Sequence, residues 1–136
     1  MRIVGFNSQK VSAERKKIIR GKVNIKTDVQ IENIEKENLD IAGEVLNVSY
    51  KFSILYEPDF AELIFKGSVL VVVDNLKNIL KDWKKKNLSQ EIRIPIINFI
   101  ISKCSLKALQ LEDDLALPLH IPFPKLASEN RANYTG

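Results

Sequence analysis

Three consecutive stretches of this chain repeat their apolar residues at every second position. Val23, Ile25, Thr27, Val29 and Ile31 alternate with Lys22, Asn24, Lys26, Asp28, Gln30 and Glu32. Leu46, Val48, Tyr50, Phe52, Ile54 and Tyr56 form a second series, and Ala61, Leu63, Phe65, Val69, Val71 and Val73 a third. Successive side chains of a strand point to opposite faces, so each series is one apolar face of a sheet. At roughly 3.3 Å per residue, a strand of about 14 residues spans about 46 Å. Helices of ordinary length do not cover such a sheet, so this fold asks for a partner.

The periods predict strands over residues 18–34, 44–57 and 60–73, preceded by a short strand in residues 1–7 through Ile3, Val4 and Phe6. Residues 12–17 read as a polar, basic connector and residues 35–40 as a charged turn. Glu57-Pro58-Asp59 is a compact hairpin connection, because proline fixes φ and acidic residues favour turns. Gly67 interrupts an apolar face, which suggests a bulge or a close approach. The period then changes. Leu76, Ile79, Leu80 and Trp83 follow helical spacing, with Asp74 as the expected cap and Lys84, Lys85 and Lys86 at the C-terminal end. Pro95 suits the first turn of a second helix carrying Ile96, Ile97, Phe99, Ile100, Ile101, Cys104, Leu106, Leu109 and Leu111. That helix is apolar over most of its circumference, so it is expected to be covered on more than one side. The fold class is α+β: a four-stranded antiparallel sheet followed by two helices packed on one face. One domain is expected over residues 1–126, with a polar, disordered tail at 127–136.

Composition constrains function mainly by what it lacks. The chain has one histidine, one cysteine and no glycine-rich phosphate loop. A catalytic dyad needs a base beside a nucleophile, and His120 is the one imidazole available. It lies in an apolar segment between prolines and reads as a packed side chain. Cys104 reads as a small core residue and excludes an internal disulfide. No zinc site can be assembled from Cys and His, and Glu112, Asp113 and Asp114 read as a solvated helix end. We expect no enzyme, no cofactor and no metal. The net charge of +4 permits contact with nucleic acid without demanding it. Lys77, Lys81, Lys84 and Lys85 share a helix side, and Arg15, Lys16, Lys17, Arg20 and Lys22 cluster near the start. These cations support the alternative reading, a small basic nucleic-acid-binding module. The aromatics at apolar-periodic positions are better placed for a core or an interface than for stacking on bases. There is no secretory signal pattern, and the apolar run at residues 94–102 falls short of the roughly 20 residues of a spanning helix. A cytoplasmic location without membrane contact is therefore expected.

The order of four antiparallel strands and two helices resembles the SecB-type export chaperones. Ile3-Val-Gly-Phe-Asn-Ser is similar to that family's first strand, and Ile94-Pro-Ile-Ile-Asn-Phe-Ile-Ile-Ser to the start of its long helix. Leu117-Pro-Leu-His-Ile-Pro-Phe-Pro resembles its proline-containing apolar segment after that helix. The resemblance implies a homotetramer, a dimer of dimers with helices between two sheets. It also implies an ATP-independent holdase that binds exposed apolar segments of unfolded proteins. The roles implied are protein export or protection of an antitoxin. The chain departs from the export chaperones in being basic where they are strongly acidic, and in a short tail after Leu126. Docking on the translocation motor, which uses that acidic surface and tail, is not carried over.

The leading expectation is thus a chaperone that binds unfolded polypeptide and forms a homo-oligomer, dimer or tetramer. Trp83, Leu117, Leu119, Ile121 and Phe123 are the expected client-binding residues. Pro118, Pro122 and Pro124 would hold the segment extended at low entropic cost, since their φ angles are already fixed.

Overall fold

The described residues form four long strands and two helices. A computed structural model describes residues 1–124. The tail expected at 127–136 lies outside the described residues. The strands are β1 (Arg2–Arg15), β2 (Asn24–Leu39), β3 (Gly43–Glu57) and β4 (Ala61–Val72). They form one antiparallel sheet in the order β1-β4-β3-β2, so β1 and β2 are its edges. Helices α1 (Leu76–Lys84) and α2 (Gln90–Asp114) follow. This is the α+β arrangement expected from the sequence.

β3 and β4 occupy the centre because their alternation is cleanest. Leu46, Val48, Tyr50, Phe52, Ile54 and Tyr56 are all fully buried, as are Leu63, Val69 and Val71, with Phe65 nearly so. Ile79 of α1 and Ile96, Ile100, Cys104 and Ala108 of α2 close the same core. Burial pushes the Cys104 thiol up to about 11, which suits a small core residue.

The edges differ from expectation. β1 is not a short strand in residues 1–7: it continues to Arg15, and the expected connector at 12–17 is mostly strand. Two bulges disguise it. β1 carries one extra residue between Ile3 and Gly5 and another between Ser8 and Lys10, so its inward positions fall at three-residue intervals there. β2 begins later than residue 18 and runs through the expected turn at 35–40 to Leu39. It too carries a bulge, at Glu32, which moves the inward position from Ile31 to Ile34. The central β3–β4 ladder has no register shift.

Gly67 marks the close approach expected of it, but the bulge sits in the neighbouring strand. Gly67 pairs with Ser8 of β1 and Tyr50 of β3. A Cβ there would overlap the Asn7 carbonyl and lie 2.7 Å from the Tyr50 hydroxyl. That hydroxyl donates to the Asn7 carbonyl at 3.2 Å, and the Tyr50 ring stacks on Phe6 at 5.4 Å. A hydrogen in place of a side chain lets the tyrosine reach past β4 to β1.

The helices correct two further expectations. Asn75, not Asp74, occupies the N-cap of α1, and its side chain makes no capping bond. Pro95 lies inside α2 as its sixth residue, not in the first turn, so Glu91 loses an amide donor four residues on. Along α2 the fully buried positions Ile96, Ile100, Ala108 and Glu112, with Cys104 nearly so, recur every four residues. Each such step overshoots a turn by about 40°. The buried line therefore winds around the helix, as suits a helix laid across a twisted sheet. Off that line Ile92, Phe99, Ile101 and Leu111 are partly buried, whereas Ile94 and Leu106 stay outside at 47% and 68% exposure. By length and composition α2 could cross a bilayer, which the apolar run alone did not suggest, yet its inner side is part of the sheet core.

Candidate functional site

Two places concentrate polar or open apolar chemistry. The first lies where α2 ends. Leu115 caps the helix, Ala116 takes a left-handed φ of 55°, and the Leu117 amide returns to the Glu112 carbonyl at 2.8 Å. This turn folds residues 117–120 back over the end of α2. His120 then drops its imidazole into the core beside Phe52, with only 3% of its side chain exposed.

The Glu112 carboxylate has no exposure at all and meets that imidazole directly. His120 Nδ1 donates to it at 2.8 and 2.9 Å, and the His120 backbone amide donates at 3.1 Å. The other ring nitrogen, Nε2, lies 3.1 Å from Ser105 Oγ, two turns back on the same helix. Tyr56 donates to the Pro118 carbonyl at 2.6 Å and closes the network. The expectation of a solvated acidic helix end is therefore wrong for Glu112, though Asp113 and Asp114 are exposed.

Serine, histidine and glutamate in this order match the connectivity of a hydrolytic triad. The surroundings do not suit that chemistry. Ser105 is 6% exposed, and it sits mid-helix, where neighbouring amides are bonded within the helix and offer no oxyanion site. The arrangement is a polar lock: it satisfies a buried carboxylate and fastens the segment after α2 to the core. No cluster of three His, Cys, Asp or Glu side chains with metal-binding geometry occurs among the described residues.

The tyrosines around this core are held neutral. Burial pushes Tyr50 up to about 12, and burial followed by the nearby Glu112 charge raises Tyr56 further. A raised folded-state value favours the fold below the ordinary tyrosine range near pH 10 and withdraws that support as pH climbs through it. Urea midpoints measured from pH 8 upward should therefore fall above about pH 10. Tyr50→Phe should flatten the alkaline limb.

The second place is a groove of about 790 Å³ on the open side of β2. Val29, Ile31 and Ile34 of β2 meet Trp83, Leu88 and Ile97 from the helices and their connection. Val29 and Ile31 are only half-buried, although they extend the same apolar face that β3 and β4 bury completely. Lys84, Lys86 and Arg93 line the groove, with Glu32 as its one acidic residue.

The expected site residues separate. Trp83 lines the groove. Leu117 belongs to the core, and Leu119 is half-buried beside the lock. Ile121 and Phe123 are 40% and 59% exposed, and none of the four lines the groove. The structure thus does not bring the 117–123 segment to Trp83 in one cavity. Glu112 could have been noticed as an acid four residues beyond Ala108 on the apolar line of α2. Val29 and Ile31 could not, because their pattern equals that of a covered strand. A scan against family models found no match, and no curated protein is significantly similar to this chain.

Proposed function

We propose that this protein is a non-enzymatic, SecB-like holdase that binds apolar segments of unfolded polypeptide and assembles as a homo-oligomer. The observation that carries the reading is the half-covered apolar edge at β2. Val29 and Ile31, half-buried beside Trp83, line an open groove between β2 and the helices. An extended client gains side-chain burial there without displacing any part of the core. Ile121 and Phe123 add exposed apolar area at the end of the segment after α2. Export and antitoxin protection are the two roles consistent with this activity.

The proposed assembly rests on α2. Ile94 and Leu106 lie on the surface of a helix whose inner side already serves the core. A second copy of the chain covers that outer face in the proposed oligomer. Light scattering should then give a dimer or tetramer at micromolar concentration. Leu106→Glu should shift it to monomer while the circular dichroism spectrum stays unchanged. A monomeric wild-type chain would remove the assembly. The holding activity itself is tested by aggregation of a chemically denatured client diluted into buffer. Stoichiometric suppression that persists at raised salt is the expected result, since apolar burial supplies the affinity. Unchanged aggregation in the presence of the folded protein would end the holdase reading.

A further inference from the structure

The groove is not uniformly apolar, and its charges are arranged asymmetrically. Lys84 ends α1, Lys86 follows it, and Arg93 lies in the first turn of α2, all lining one cavity. Among the described residues none of the three has a carboxylate within ion-pairing distance. Glu32 is the one acid of the lining and is equally unpaired among the described residues, so the groove keeps an excess of cations.

Lys86 adds a second, independent observation. It holds a left-handed φ of 54° just past the helix end, a position where glycine is the usual residue. Its amide bonds the Trp83 carbonyl at 2.8 Å, and the Asn87 amide bonds the Asp82 carbonyl at 2.9 Å. A glycine would make the same closure without strain. The chain instead spends backbone strain to carry an ammonium group at the mouth of an apolar cavity, beside Trp83.

We infer that the groove selects extended segments in which large aliphatic side chains are flanked by acidic residues. The inference rests on the holdase reading and sharpens it. The aliphatic side chains fill the space over Ile31, Trp83 and Leu88, and the flanking carboxylates meet Lys84, Lys86 and Arg93. Charge then selects among apolar segments that burial alone would bind alike.

The test uses the full chain and dye-labelled peptides sharing one alternating Ile-Ser core, flanked by glutamates, serines or lysines. Fluorescence anisotropy at moderate salt should rank glutamate over serine over lysine, with about tenfold between the first two. Three exposed ion pairs of modest strength supply a factor of that size. The Lys84→Glu, Lys86→Glu, Arg93→Glu triple variant should reverse the order, and its melting temperature should hold because all three side chains are exposed. Equal affinity for the three peptides, or an order unchanged in the variant, overturns the inference. So does equal binding of a glutamate peptide with a serine-only core, which would reduce the site to a cation patch. Displacement of the glutamate peptide by single-stranded DNA at physiological salt overturns it too, handing the cations to nucleic acid. The two readings fail separately. Aggregation suppression without charge preference spares the holdase and ends the selectivity. Charge-selective peptide binding without suppression ends the holdase and leaves a recognition groove.

Discussion

Glu112→Ala is expected to lower the unfolding free energy by about 3–5 kcal/mol, the cost of breaking a buried ion pair or its neutral equivalent. The loss exceeds that of an ordinary surface acid because both carboxylate oxygens are committed. They accept from the His120 ring and from its backbone amide, and alanine leaves those donors buried and unpaired. His120→Ala should cost a similar amount, since it strands a carboxylate with no exposure. The double variant should cost clearly less than the sum, because the second change removes only a group already orphaned. Ser105→Ala tests the outer member of the network and should cost about 1 kcal/mol. Urea unfolding followed by far-ultraviolet circular dichroism reads all four. A loss under about 1 kcal/mol for Glu112→Ala would mean that the end of α2 is solvated in solution, and that the lock does not hold the 117–124 segment.

The second large effect is expected at Gly67. A methyl group there meets the Asn7 carbonyl, which is backbone, and the Tyr50 hydroxyl, which is the buried end of a stacked ring. Neither can give way without disturbing the β1–β4 ladder or the hydrogen bond between them. Gly67→Ala should therefore destabilise by about 3 kcal/mol or more, the upper end of overpacking costs. It also removes an unfolded-state glycine, a gain of under about 1 kcal/mol that does not offset the clash. Adding Tyr50→Phe should recover part of the loss by removing the hydroxyl. If Gly67→Ala is neutral in thermal unfolding, β1 can slide outward at no cost and the close approach is not a constraint.

What could be read from the chain follows from where its periods are uninterrupted. β3 and β4 lie between other strands, carry no bulges and keep their alternation from end to end, so their faces were legible. β1 was not. Ile3, Phe6 and Ala13 pack on the core at uneven intervals because the bulges insert residues between them. Polar neighbours such as Ser12, Glu14 and Arg15 then resemble a connector. In β2 the step from Ile31 to Ile34 hid the last turnless stretch in the same way. The lock escaped for a different reason. Glu112 looks like a member of an acidic cluster with Asp113 and Asp114, and only the turn through Ala116 and Leu117 brings His120 over it. Trp83 was legible as an apolar helix residue and as a candidate contact. The groove around it was not, since it depends on how α1, α2 and their connection pack against β2.

The three bulges share a property beyond disguising the sequence: each adds its residue to an outermost strand. A regular outer strand presents evenly spaced donors and acceptors, and a newcomer can zip along it. Here the spacing is broken at Glu32 on one margin, and between Ile3 and Gly5 and between Ser8 and Lys10 on the other. A strand added along β2 would follow the regular stretch from Asn24 to Ile31 and lose its register at Glu32. The broken spacing thus limits how far any added strand can pair along either margin before its register fails.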